Sequence, residues 1–126
     1  MPEFQTLLLP KDRTLAAPDG SDVRVLLGLK SGGMEQFHLD PGHVSKAVTH
    51  RTVEEIWYVL TGEGQMWRKE GQHEEVTELV PGLCLTIPLG THFQFRANPN
   101  SGLSVVAVTI PPWPGEGEAV EVAGQW

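Results

Sequence analysis

The sequence is most easily bounded by what it has little of. One cysteine in 126 residues excludes an internal disulfide framework. That residue, Cys84, sits in the apolar run Leu83 to Ile87, so a buried, inert thiol and a reducing compartment are expected. No apolar run approaches the ~20 residues of a membrane-spanning helix. The N-terminal MPEFQTLLLPKDR lacks the cationic start of a signal peptide, so a cytoplasmic location is expected. Basic residues are few, 9 against 16 acidic ones, for a net charge of −7. They are scattered, with no cluster beyond Arg68-Lys69, so the footprint that phosphates require is missing. Neither nucleic acid nor membrane is an expected partner. No segment of helical length combines a 3.6-residue period with end caps.

What is present is punctuation. The 14 glycines and 10 prolines fall between short β-favouring runs. The runs are Val23 to Leu29, Met34 to Leu39, Val48 to His50, Glu54 to Leu60, Gln65 to Lys69, Glu74 to Leu79, Leu83 to Ile87, Phe93 to Arg96 and Leu103 to Ile110. Leu7 to Leu9 is a further edge strand or arm, and Pro18-Asp19-Gly20-Ser21 is a turn. About ten such strands, with turn signals every 8 to 12 residues, predict an all-β barrel or sandwich. The length suits one domain, 1–126, able to bury roughly two-thirds of its unfolded surface. Its barrel core is expected at about 22–110, with an N-terminal arm at 1–18 and a C-terminal tail at 111–126. The tail carries Trp113 and Trp126 among proline, glycine and glutamate, a composition suited to covering a sheet edge or an apolar face.

The chemistry concentrates between Pro41 and Gly64. Val48 and His50 share one face of a strand, and the turn Arg51-Thr52-Val53 leads into a second strand. There Glu55, Trp57 and Val59 share one face, and Ile56, Tyr58 and Leu60 lie on the other with Glu54. A histidine ending one strand and a glutamate opening the next can meet inside a barrel. As a pair, a desolvated carboxyl and an imidazole suit general acid–base work or the polar anchoring of a ligand.

These spacings resemble the cupin superfamily, whose first motif is G-x5-H-x-H-x3,4-E-x6-G and whose second is G-x5-P-x-G-x2-H-x3-N. Gly42, Val48, His50, Glu55 and Gly62 fall on the first, and Gly82, Pro88 and Gly90 on the second. The resemblance spans roughly residues 34 to 108 and implies a cupin-type double-stranded β-helix, or jelly-roll barrel. With RTVEEIWYVLTGEG, IPLGTHFQFR and the PPWPGE tail, the chain is similar to small bacterial single-domain cupins of the conserved-barrel type with a degenerate metal motif. Val48 replaces the first histidine, and Phe93 stands at the second motif's histidine position with His92 one residue early.

The resemblance implies a divalent transition metal (Fe, Mn, Ni, Zn or Cu) held by His50, Glu55 and His92. The alternative is a metal-free polar pair. His92 reaches the interior only if a bulge corrects its offset, since strand neighbours face opposite ways. His50 and Glu55 are the catalytic candidates in either case. Val48, Trp57, Trp67, Phe93 and Phe95 are expected to line a pocket, with Gln36 and His38 as further candidates on one face of their strand. Each aromatic serves equally well as barrel core. Gln94 and Arg96 are expected to face solvent, as are His43 and His73. Two functions from different classes follow. One is a metal-dependent enzyme of oxygenase, isomerase or lyase type acting on a small metabolite. The other is a metal-free barrel that binds or senses a small, sugar-like ligand. The apolar face of Ile56, Tyr58 and Leu60 implies a homodimer, with the arm or tail crossing between subunits.

Overall fold

A computed structural model describes residues 3–17 and 19–126. Met1, Pro2 and Pro18, which belong to the expected arm and first turn, lie outside the described residues. The chain forms β1 (Leu15–Ala16), β2 (Asp22–Gly28), β3 (Gly33–Leu39), β4 (Val48–His50), β5 (Glu54–Thr61) and β6 (Gly64–Glu70). It continues with β7 (His73–Leu79), β8 (Cys84–Ile87), β9 (His92–Ala97), β10 (Leu103–Ile110) and β11 (Ala119–Glu121). The protein is all-β, as the punctuation predicts. Among the described residues no helix is long and apolar enough to cross a membrane.

Two antiparallel sheets face each other, ordered β1-β2-β3-β10-β5-β8 and β11-β4-β9-β6-β7. From β3 onward the chain winds between them, visiting the large sheet with β3, β5, β8 and β10 and the small one with β4, β6–β7, β9 and β11. This alternation is the double-stranded β-helix. Its consequence for the site is direct. β4 and β5 are consecutive but lie in opposite sheets, so the turn Arg51-Thr52-Val53 carries His50 and Glu55 to facing walls of one interior.

Strand alternation builds the core. Trp57 and Val59 of β5, Val105 and Ala107 of β10, Met66 of β6, and Phe93 and Phe95 of β9 all point between the sheets and are buried. The Trp57 ring meets Phe95 edge-on at 4.9 Å and lies tilted 5.4 Å from Phe37. Such aromatic pairs add to the burial of their area.

Three expectations fail, two of them on the same alternation. Cys84 is exposed, because Leu85 and Ile87 take the inward positions of β8 and turn the thiol out. Trp67 is buried but stands outside the core cluster, since it is Met66 that pairs across from Phe95 and shares its face. The Trp67 indole instead donates to Glu74 Oε1 at 2.6 Å. Gln94 faces outward as expected, yet it is buried rather than solvated. The backbone amides of Gln125 and Trp126 donate to its side-chain oxygen, so the end of the chain lies across it. The Arg96 guanidinium stacks 4.1 Å from the Trp126 ring centroid, a cation–π contact.

The ends differ in how they are held. The segment Leu7 to Leu9 forms no strand and is exposed. The Arg24 guanidinium holds the following turn by donating to the carbonyls of Pro10 and Lys11 at 2.7 and 2.6 Å. The tail supplies β11, which pairs with β4 and covers that edge of the small sheet.

Candidate functional site

The two sheets enclose a cavity of about 230 Å³ near the β4–β5 turn. Its walls include Val23, Val25, Leu27, Phe37, Val48, Trp57 and Phe93, with Pro112 and Trp113 contributed by the strap between β10 and β11. Val25 and Leu27 point inward from β2 yet are 47% and 36% exposed, which marks the open end. The polar lining is Asp19, Glu35, His50 and Glu55.

His50 Nδ1 lies 3.1 Å from Glu55 Oε2, both side chains being buried. The ring nitrogen is misaligned with that oxygen and has no hydrogen-bond partner. Phe93 and Trp113 meet the His50 ring edge-on at 5.2 and 5.1 Å. Glu55 Oε1 accepts the Trp57 indole N–H at 2.9 Å. Glu35 Oε1 accepts the Thr109 hydroxyl at 3.3 Å, and Glu35 Oε2 is buried without a partner.

Burial sets the protonation states. It pushes Glu55 up to about 8; the Trp57 hydrogen bond works against this, and the nearby Glu35 and Asp19 add to it. Burial likewise raises Glu35 to about 7, with Thr109 opposing. Asp19 is raised by burial against the hydrogen bonds from Ser21. His50 is lowered to about 4 by burial, which the Glu118 charge and the Val53 backbone only partly offset. Near neutral pH the His50–Glu55 pair is therefore a neutral imidazole beside a protonated carboxyl, not an ion pair.

These shifts predict a stability profile. Between the pKa of an unfolded glutamate and about 8, the unfolded chain releases the Glu55 proton while the folded chain keeps it, so stability falls as pH rises. Between pH ~6.5 and ~8, folded His50 is neutral, and titration of the unfolded histidine is common to wild type and variant, so it cancels in their comparison. Glu55→Gln retains an acceptor for Trp57 and removes the ionisation. Urea unfolding should show the variant gaining about 2 kcal/mol on wild type across that interval. A parallel pair of pH profiles would refute the assigned protonation state.

The candidates named from sequence separate cleanly. His50, Glu55, Val48, Trp57 and Phe93 come together around the cavity. His92 does not join them. It is paired with Lys69 on β6, and its neighbour Phe93 takes the inward position without a bulge. Phe95 packs in the core beneath Trp57 rather than lining the cavity. Gln36 is buried on the other face of β3, accepting from Arg24 and donating to Ser104. His38 lies on that same face, with Nε2 3.1 Å from Asp40 Oδ1. His43 and His73 are exposed.

Glu35, Asp19 and Trp113 were not among the candidates. Glu35 shares its strand face with Phe37 and Leu39, an alternation that could have found it. Nothing local marks Asp19 beyond its turn, and Trp113 reaches His50 only through the path of the strap.

The donor set decides whether a metal fits. Among the described residues no three His, Cys, Asp or Glu side chains are placed to hold one ion. Val48 stands at one family ligand position, Phe93 occupies another, and His92 is turned away. Two donors are too few for a protein site of the kind transition metals occupy. The residues present do not fit the metal that the motif resemblance implies.

A family model described as a cupin domain, Cupin_2, matches residues 35–110. No curated protein sequence matches the chain significantly. Among solved structures, one similar chain is an uncharacterized conserved protein with a double-stranded β-helix domain from Klebsiella pneumoniae. It has 17% identity and a TM-score of 0.71 over 97% of this chain and 100% of that one. KdgF from a Halomonas species has 19% identity and a TM-score of 0.67, over 83% and 94% of the two chains. A recombinant oxalate oxidase solved with glycolate has 22% identity and a TM-score of 0.72, over 93% of this chain and 62% of that one. At these identities the likeness is one of fold.

Proposed function

This chain belongs to the cupin domain family, and from that premise and the shape of its cavity we propose that it binds a small metabolite without a metal, using His50 and Glu55 as the polar anchor. One observation carries the reading: His50 and Glu55 meet 3.1 Å apart in a mostly apolar cavity, and among the described residues no third donor is placed to share an ion with them. At about 230 Å³ the cavity is below the roughly 300–1,000 Å³ typical of drug-sized ligands, so the ligand is small. A neutral imidazole can accept a proton and a protonated carboxyl can donate one. The pair can therefore assist proton transfer on a bound molecule. The glycolate of the oxalate oxidase structure is an acid, and its charge finds no counterpart here, since among the described residues neither Lys nor Arg lines the cavity.

The metal-dependent enzyme implied by the motif resemblance makes the opposite prediction, and metal content separates the two. Protein purified without chelator should carry far less than one transition-metal ion per chain by plasma mass spectrometry, the same as a His50→Ala control. Ligand-dependent thermal stabilisation should survive EDTA. Near one ion per chain, lost in the control, would overturn the metal-free reading.

The protein is also proposed to act as a homodimer. Ile56, Tyr58 and Leu60 on the outer face of β5 are 48%, 47% and 40% exposed. The neighbouring Met34 and the arm residues Phe4 and Leu8 are also exposed and apolar. A second copy would cover both kinds of surface. Light scattering at micromolar concentration should give twice the 13.8 kDa chain mass, and Tyr58→Asp should shift it toward the monomer. A wild-type monomer would end the proposal.

A further inference from the structure

The cavity is chemically one-sided. Three carboxyl groups reach it from separate elements: Asp19 from the turn before β2, Glu35 from β3 and Glu55 from β5. Among the described residues no lysine or arginine lines it to offset them. Most buried acids in proteins sit beside a basic partner, because an isolated buried charge is costly. Here nothing in the lining supplies one.

A second, independent feature lies at the same place. His50 Nδ1, which faces Glu55 Oε2, and Glu35 Oε2 are both buried and without hydrogen-bond partners, whereas Glu55 Oε1, Glu35 Oε1 and Asp19 Oδ1 accept from Trp57, Thr109 and Ser21. Orphaned buried polar atoms call for an explanation. Glu35 Oε2 accepts a hydrogen bond from any donor once the carboxyl ionises. His50 Nδ1 accepts one when the ring proton is on Nε2. What is missing is a group with several donors and no acceptor. Around these acids stand Phe37, Trp57, Phe93 and Trp113, whose ring faces favour a nearby cation.

We propose that the cavity is selective for a small organic amine, whose ammonium group pairs with Glu35 on the acidic side of the cavity while its apolar body lies against the aromatic walls. This rests on the small-molecule reading above and adds the ligand's charge. An ammonium offers donors and no acceptor, which is what Glu35 Oε2 lacks. An alcohol of the same shape offers one donor, and a carboxylate would meet three acids with no cation between them. The raised carboxyls of the empty cavity are consistent with this, since an arriving cation supplies the partner that burial denies them.

The test is titration calorimetry at pH 7.5 with probes matched in body and differing in head group. One set is benzylamine, benzyl alcohol and benzoate, and the other is butylamine, butanol and butyrate. In at least one set the amine should bind about tenfold or more tightly than its alcohol, with the acid weakest, as expected when one charge-assisted contact is gained. Glu35→Gln should remove that advantage, so that the amine binds no more tightly than its alcohol. Val25→Lys, which places a cation at the exposed rim, should weaken the amine and favour the acid. It serves as the second variant if Glu35→Gln does not fold. An alcohol or acid that binds as tightly as its amine would overturn the amine assignment and leave the pocket standing. Six probes that all fail to bind would count against both the amine and the pocket.

Discussion

Gly64→Ala is expected to remove a large share of the protein's stability. Gly64 opens β6 opposite Ala97 of β9 and Leu79 of β7, and it is buried. A Cβ at this position would overlap the backbone carbonyl oxygen of Arg96 and press on its carbonyl carbon at 3.1 Å and on the Ala97 Cα at 3.3 Å. These are backbone atoms of a paired strand, so no side-chain rotation relieves the overlap. Overpacking a flexible core costs about 1–3 kcal/mol. Prising β6 from β9 should exceed that, at about 4 kcal/mol or more, out of a total of roughly 5–15 for a domain. Gly71 is the control. It turns between β6 and β7 at φ +60° with open space where a Cβ would be, so Gly71→Ala should lose only about 1–2 kcal/mol from the left-handed backbone. Urea unfolding of both variants tests the contrast, and equal losses would show that the β6–β9 approach is not what demands glycine. The site depends on this approach, because β9, held by β6 on one side, pairs with β4 on the other and there sets Phe93 opposite Val48 and against His50.

The fold was legible because local and global signals agree along most of the chain. Leu103 to Ile110 is bounded identically by its turn residues and by its ladders to β3 and β5. The pair His50 and Glu55 was legible because both sit next to one short turn. Reading Trp67 inward went wrong by favouring the bulkier residue over the parity that Phe95 and Gly64 impose through pairing. Cys84 was misread because an apolar run looks continuously buried, although a half-buried strand hides only alternate members, here Leu85 and Ile87. Glu35 was available to the same alternation and was missed. Other features had no local signal at all. That Gln94 is covered, that Trp113 stands at His50 and that β11 seals β4 all depend on where the last sixteen residues return. Sequence spacing carries no record of that path.

The path itself is held chiefly at Glu118, and removing that side chain should have the largest effect on the site after Gly64. Glu118 lies at the end of the strap, next to β11, and is buried. Its carboxylate accepts from the backbone amides of Thr52 and Val53 at 2.7 and 3.2 Å and from the Thr52 hydroxyl. It therefore caps the turn that joins His50 to Glu55. Burial acts to raise its pKa, but the hydrogen bonds from Thr52, Val53 and Arg51 prevail and hold it below the usual carboxylate range. A depressed carboxylate contributes stability above its unfolded pKa and loses it as pH falls through the folded value, so this anchor weakens only in acid. Glu118→Ala strands the buried Val53 amide and takes the partner of the Thr52 amide and hydroxyl, which lie nearer solvent, so it should destabilise the protein by about 2–3 kcal/mol. It should also release the strap that sets Trp113 against His50, so that Trp113 fluorescence becomes more quenchable and ligand binding weakens together with stability. Glu118→Gln separates the two contributions. The amide oxygen can still accept from both backbone groups, and its NH2 can donate to the Thr52 hydroxyl once that rotates. The loss should therefore stay near 1 kcal/mol, with the acid dependence removed. If Glu118→Ala were as mild as Glu118→Gln, the strap would be held elsewhere, and the contact between Trp113 and His50 would owe nothing to this carboxylate.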